Sequence, residues 1–530
     1  MWRMGRIRWR HRNKTPVTWS DLQLPSGSRH QGTLVDALRR YPLLLEVNAR
    51  LWLAGYSSRE GRRITLASVP DNALERLGER FDLLWLMGAW RRSPAARGQA
   101  LTVPEIVRSY GAALPDWKPS DVEGSPYAVH AYQLDPALGE PHELKRFRQR
   151  LNAVGVRLMV DFVGNHLAMD HPWTVQHPDW FVSVPENRQS DHSGELYRTP
   201  QGAVIAHGRD PNFPPWNDTA QVDYFSPGLR KAFARELLSI ARVADGVRCD
   251  LAMLGLSDVF QRVWGWAVST GESPPVEFWT AMIQGVKNVR PDFVFVAEAY
   301  WGLENRLLEL GFDYAYDKRL YDLFLQSDAE GIGKHLRKEE TLVQRGVHFT
   351  ENHDEARATV AFGRDRSRMV ASAMMTLPGL RLVQHGQMEG RRVRVPLQLV
   401  REPEEPVDSE MAVFYDRLLS LCNHPLLHEG DWRLLQVSSA GMAGDGHQNL
   451  LAWSWSLGEE IQLVVLNPSG APADGRIDLQ RLWGFRKLWW VDQLHPGHFS
   501  YQENEGFLRL HIEPWSARIL KPESESADSR

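Results

Sequence analysis

Three acidic residues close three separate apolar runs: Asp250 in GVRCD, Glu298 in FVFVAE and Asp354 in VHFTENHD. A carboxylate at the end of a buried strand emerges at one rim of a sheet. Three of them on one rim can supply a nucleophile, a proton donor and a charge stabiliser, which is the outfit for breaking a glycosidic bond. Arg248 stands two residues before Asp250, so the two side chains share a face of their strand. A guanidinium there keeps the carboxylate ionised and oriented, as a nucleophile requires. Glu298 follows the apolar run Phe293–Ala297. Burial and neighbouring negative charge would raise its pKa and keep it protonated as an acid. A single strand-end acid is often only a cap or an ion-pair partner. Three on separate strands, with His166 and His353 adjoining, point to a carbohydrate site.

The elements that must position these residues repeat along the chain. Eight apolar runs read as buried parallel strands: 44–53, 82–90, 156–163, 244–251, 293–300, 312–317, 347–352 and 380–386. Amphipathic stretches such as NALERLGERF, ELKRFRQRLNAVG and GLRKAFARELLSIAR lie between them. The pattern predicts an α/β chain folded as a (β/α)8 TIM barrel over 36–427, whose active face is formed by the strand C-termini. Residues 166–225, after the third strand, are rich in Pro, Asp, His and Trp, and read as an irregular inserted domain forming one wall of the site. The segment 91–155 carries a further extra piece. Short strands between Gly, Pro and Asn turns predict a C-terminal antiparallel β-sandwich over 428–522.

Composition narrows the function classes. The chain has 530 residues, a formal net charge of −4 and 24% charged residues, so no global field favours nucleic acid or an anionic membrane. Two cysteines, Cys249 and Cys422, exclude a disulfide framework and fit a cytoplasmic location. The basic start, MWRMGRIRWRHRNK, lacks the apolar core of a secretory signal and reads as a solvated arm over 1–35; residues 523–530 read as a disordered tail. DHPWTVQHPDWF (170–181) matches no metal-ligand spacing and reads as part of the inserted domain. Cys249 faces away from the nucleophile as a packed thiol.

VDFVGNH (160–166), GVRCD (246–250), FVAE (295–298) and ENHDEAR (351–357) resemble, in order, the four signature segments of the α-amylase family, glycoside hydrolase family 13. The resemblance covers residues 36–522 and implies a retaining α-glycoside hydrolase or transglycosidase acting on α-glucans, malto-oligosaccharides or related α-glucosides. It implies Asp250 as nucleophile, Glu298 as acid/base and Asp354 as transition-state stabiliser. His166, Arg248, His353 and Arg357 would contact the sugar, with Tyr127 of GSPYAVHAY stacking on it, and Asp161 would support the site. No cofactor is required. Asn165 matches a calcium-binding position of the family, which raises a structural calcium, but Leu254 replaces the partnering histidine. Met253 and Leu254 also replace contacts on the leaving-group side, and Gly124 stands where many exo-acting α-glucosidases of the family carry an aspartate. Glucanotransferase, disaccharide isomerase and phosphorylase therefore stay open, as does a non-catalytic carbohydrate-binding protein on the same fold. The expected partner is a carbohydrate, with no nucleic acid and no membrane; the sequence fixes no oligomeric state.

Overall fold

The computed structural model describes residues 38–523 apart from 185–188, 269–273, 275, 442–443, 480–488, 496, 498 and 505. The expected arm (1–35), all but Glu523 of the expected tail, and Trp483 lie outside the described residues.

Eight parallel strands close into a barrel: β1 (Leu43–Asn48), β2 (Leu83–Met87), β3 (Arg157–Val163), β4 (Gly246–Asp250), β5 (Val294–Ala297), β6 (Tyr314–Tyr316), β7 (Gly346–Phe349) and β8 (Leu380–Gln384). They follow one another around the barrel in chain order, and β8 pairs back with β1. All eight predicted runs contain a strand, but most runs overshoot it. The first shows why: ARLWL leaves the sheet because the Asn48 side chain accepts from the backbone N–H groups of Arg50 and Leu51, starting the helix Ala49–Glu60. Periodicity cannot see that cap, since Leu51, Trp52 and Leu53 are buried in either structure.

The strands of the catalytic half are continuous and dry. Every residue of β3, β4 and β5 is buried, as parallel strands covered by helices require. Their register sets Arg248 opposite Asp161 on β3 and Val296 on β5. The inserted segment is pinned to the rim by a short antiparallel pair, His166–Ala168 against Thr219–Gln221. It carries a second small pair, Leu196–Arg198 with Val204–Ala206, and, among the described residues, only short helical turns. The earlier extra piece contributes the helices Pro94–Ala100 and Pro104–Ala113 beside the cleft.

At the C-terminus nine strands follow among the described residues: β9 (Asp431–Leu435), β10 (Val437–Ser438), β11 (Leu451–Leu457), β12 (Glu460–Asn467), β13 (Ala473–Asp478), β14 (Trp489–Asp492), β15 (Ser500–Asn504), β16 (Phe507–Ile512) and β17 (Ser516–Glu523). They form one antiparallel succession, β9-β11-β12-β17-β14-β15-β16-β13-β10. It folds back on itself: Ala452 and Leu463 from one end share a core with Ile477 and Leu508 from the other. The opposite face docks on the barrel, where buried Trp455 donates through Nε1 to Thr376 O at 2.8 Å and meets Tyr41 edge-on. Leaving that indole N–H unpaired would cost about 1–3 kcal/mol. No helix among the described residues is long and apolar enough to cross a membrane.

Candidate active site

The C-terminal rim of the barrel opens into a cleft of about 1390 Å³. Ligand pockets typically hold about 300–1,000 Å³, so this one has room for more than a single sugar ring. Asp250, Glu298, Asp354, Tyr127, His166 and His353 all line it.

Arg248 organises the two central acids. Its side chain is 1% exposed, and its Nη1 donates to Asp250 Oδ1 at 2.6 Å while Nη2 lies 2.8 Å from Glu298 Oε2. Trp85, Tyr127 and Tyr316 surround the guanidinium with ring centroids 5.3–5.7 Å away. One buried cation thus faces two buried carboxyls. A second uncompensated anion in such a place costs several kcal/mol, so the pair retains one proton until near neutrality. Both carboxyls are raised above the usual range. Burial, with Asp250 and Asp354 nearby, pushes the Glu298 carboxyl up to about 7 against the opposing pull of Arg248. Burial raises Asp250 as well, but the directly bonded guanidinium opposes it.

The two oxygens of Glu298 are unlike. Oε2 accepts from Leu251 N at 2.6 Å and faces Arg248. Oε1 accepts from the hydroxyl of Tyr300 at 2.8 Å. The proton therefore belongs on Oε1, the side on which tyrosine can either donate or accept.

Asp354 is held differently. Its side chain is 44% exposed to the cleft, and His353 Nε2 lies 3.0 Å from Oδ2. Burial would raise its pKa, but the charge and hydrogen bond of His353 outweigh it and bring it to about 2. His353 in turn donates through Nδ1 to Glu46 Oε1 at 2.5 Å. Burial disfavours its charge, yet Asp354 and Glu46 together hold the imidazolium well above the usual histidine range. Tyr127 stacks on that ring at 5.5 Å, and its hydroxyl lies 2.9 Å from Nε2. His166, with Trp216 against it at 5.0 Å, is neutral: burial takes it down to about 3.

Not every residue expected at the sugar reaches the cleft. Arg248 lies beneath the acids. Arg357 is buried behind His353, pairing with Glu351 at 3.0 Å and donating to Gln384 Oε1 and His385 O. It braces β7 against β8 and does not line the cleft. Asp161 accepts from Trp85 Nε1 and Gly88 N, a brace for β2 against β3. Cys249 is buried, as is the other free thiol, Cys422. In the inserted segment His171 Nδ1 accepts from Trp173 N, a turn contact.

A calcium ion does not fit the surroundings of Asn165. Gln221 Nε2 donates to Asn165 O at 2.9 Å, to Asn165 Oδ1 at 3.1 Å and to Val222 O at 3.2 Å. An amide donor already occupies the convergence point of the oxygens that would ligate a metal, and Leu254 adds no ligand.

Sequence reasoning passed over Glu46, Tyr300, Trp301 and Arg394. Glu46 had a signal, a lone acid inside LLLEVN. Arg394, which donates to Asp354 O at 2.5 Å, comes from an irregular segment without periodicity.

No protein-family profile matches the chain. Among curated proteins it is similar to α-amylase 3 of Dictyoglomus thermophilum, 23% identical over 295 residues, covering 51% of this chain and 55% of that protein. It is also similar to the α-1,4-glucan:maltose-1-phosphate maltosyltransferase of Pseudomonas aeruginosa, 25% identical over 202 residues, covering 36% of this chain and 25% of that protein. The match thus spans about half or less of these relatives' length. The fold is shared over nearly its whole extent with a maltogenic α-amylase from Thermotoga neapolitana: the TM-score is 0.64 at 19% identity, covering 92% of this chain and 99% of that one. These sequence relatives and the shared barrel point to the α-amylase family, glycoside hydrolase family 13, and to no particular subfamily.

Proposed function

We propose that the protein is a retaining α-glycoside hydrolase or transglycosidase acting on α-glucosidic bonds of neutral glucans. The observation that carries this is the single guanidinium of Arg248 contacting both Asp250 and Glu298. A bridge of that size favours the spacing of about 5 Å found between the carboxyls of retaining enzymes over the wider inverting one. Asp250 attacks the anomeric carbon as Glu298 Oε1–H protonates the departing oxygen, giving a glycosyl ester on Asp250. Glu298, now ionised, takes a proton from water or a sugar hydroxyl. That oxygen displaces Asp250 from the anomeric carbon, and the configuration is retained. Asp354, ionised by His353, faces the positive charge that develops on the sugar.

Cleft charge favours a neutral acceptor. Nine carboxylic side chains among the described residues line it, against Lys318, Arg319, Arg394 and the imidazolium of His353. Such a field repels phosphate, so water or a sugar hydroxyl is the better acceptor. The Gln221 contacts support a site that works without calcium, and the two buried free thiols fit a reducing, cytoplasmic setting.

The test is turnover of maltodextrin by Asp250→Asn and Glu298→Gln, each expected to lose several orders of magnitude. With α-maltosyl fluoride, whose leaving group needs no proton, Glu298→Gln should accumulate a glycosylated Asp250 peptide visible by mass spectrometry. Undiminished turnover in either variant would refute the assignment.

A further inference from the structure

The rim of the cleft is walled on one side. After β8 the chain runs on as an irregular strap, 386–408, before its next helix. A cavity of about 50 Å³ beneath the strap is lined by Asn48 of β1, Met87 of β2, and Val393 and Leu397 of the strap itself. The strap therefore passes over the end of β1. Its far part is stitched to the segment before Tyr127. Glu123 N donates to Gln398 O and Val400 N to Asp121 O, both at 2.9 Å. Buried Arg92 donates through Nη1 to Gly124 O at 3.1 Å and to Leu397 O at 3.3 Å. Leu399 and Val122 share a small separate core with Ala100 and Tyr110 of the helices Pro94–Ala100 and Pro104–Ala113. Strap and helices are thus one lobe, held by backbone bonds and apolar burial. On its other flank the lobe meets the inserted segment: Gln99 Nε2 donates to Asn217 O at 2.8 Å, and Ala95 N to Asp170 Oδ2 at 3.2 Å. From β8, past β1 and β2, to the insertion after β3, the rim carries one continuous wall.

That wall faces the cleft through Gln99, Ala100, Ile106 and Gln398. It also closes in on Tyr127. A Cβ added at Gly124 would meet Ser93 O at 2.7 Å and Ala96 Cβ at 3.1 Å, so the chain just before Tyr127 lies flush against the lobe. β5, whose end presents Glu298, stands opposite β1 in the ring of strands. Glu298 protonates the departing oxygen, so the departing chain leaves towards β5. The part retained on Asp250, which carries the non-reducing end, points at the wall. From Gly124 to Tyr127 the chain spans no more than about 10 Å, room for one further ring beyond the sugar at Tyr127. We propose that the helix–strap lobe is an end wall that makes this a chain-end enzyme: it takes an α-glucan by its non-reducing end and releases pieces of one size, no longer than two glucosyl units. This rests on the retaining α-glucosidic reading above and sets which bond of a chain is cut.

The experiment compares three substrates: free maltoheptaose, maltoheptaose with a 4,6-O-benzylidene cap on its non-reducing unit, and β-cyclodextrin, which has no end. Wild type should turn over the capped and cyclic substrates at least roughly a hundredfold more slowly than the free chain. The first product cut from the free chain should be of a single size. Leu399→Asp places an unpaired charge in the core of the lobe and unhooks the strap, so the ratio of capped to free turnover should rise about tenfold or more. Comparable cleavage of capped and free chains by wild type, internal fragments in the first turnovers, or a folded Leu399→Asp with an unchanged ratio would each overturn the proposal. A wild-type protein inactive on free maltoheptaose and on α-maltosyl fluoride would instead overturn the functional reading, and this proposal with it.

Discussion

Glu46 and His353 stand 307 positions apart in the chain, yet Glu46 Oε1 accepts from His353 Nδ1 at 2.5 Å at the centre of the barrel rim. Both side chains are nearly fully buried, at 1% and 3% exposure. The contact fixes the charge of the histidine and, through it, that of Asp354. His353 has a folded pKa raised above its unfolded value. Its stabilisation is therefore fully present below about pH 6.5 and is lost only as pH climbs through the higher folded value. Asp354 is depressed to about 2, so its contribution persists above its unfolded value and is lost only as pH falls towards 2. Between those limits the pair stays ionised.

Glu46→Gln should uncouple this arrangement without emptying the site. The amide still accepts from Nδ1, but the imidazolium loses one of two anionic partners and its pKa falls. Asp354 then loses part of its cation. A tenfold or larger fall in kcat on maltodextrin is expected, about 1.4 kcal/mol or more of transition-state stabilisation. The fall should deepen above neutrality as His353 deprotonates. A variant with a wild-type pH profile would show that Glu46 is only packing.

The alkaline limb of the wild-type profile should belong to Glu298. Its folded carboxyl sits near 7, so the protonated acid is lost as pH rises through that value. kcat/KM for maltodextrin should fall tenfold per pH unit above it. With α-maltosyl fluoride the first step needs no proton, and the limb should vanish from kcat/KM. A limb that persists with the fluoride would assign it to another group.

Tyr300→Phe removes the hydroxyl that donates to Glu298 Oε1. A hydrogen bond to the ionised form favours ionisation, so its loss raises the pKa of Glu298 and moves the alkaline limb upward. At about 1 kcal/mol for such a bond the shift is about 0.5–1 pH unit. Deglycosylation should slow as well, because the base loses the partner that orients it. Unshifted limbs with a reduced Tm would make Tyr300 a packing residue only.

How much of this could be read in advance follows from where each residue gets its order. Asp250 and Glu298 close strands that are buried throughout, so their placement needed only pleat and burial. Arg248 pointed the way of Asp250 because side chains two apart on a strand share a face. The placement of Arg357 was not legible: it sits past β7 on an irregular turn, and its direction is set by Glu351 and by Gln384 of β8. Trp301 was hidden for a related reason. Its exposure and left-handed backbone arise from a turn whose geometry has no periodic signature. Among the C-terminal strands β9 is only partly covered, and β13 alternates but carries Gly475 at one of its three buried positions, so neither offers a run of large apolar residues.

Gln221 supplies the last test. Its side chain is fully buried, and the two N–H groups of its Nε2 are shared among Asn165 O, Asn165 Oδ1 and Val222 O. Those oxygens tie the start of the inserted segment to its return strand, so the wall of the cleft depends on them. Wild-type Tm should be identical in chelator and in millimolar calcium, since a neutral donor already neutralises the cluster. Gln221→Glu replaces the donor by a carboxylate facing three oxygen acceptors; Asn165 O keeps the Val222 N–H, while Asn165 Oδ1 loses its Gln221 donor, at a cost of about 1–3 kcal/mol. The same change creates an all-oxygen cage of the kind hard cations prefer. The variant should therefore lose Tm in chelator and recover part of it in calcium. A wild-type protein that loses Tm on chelation would show instead that the amide shares its place with a metal.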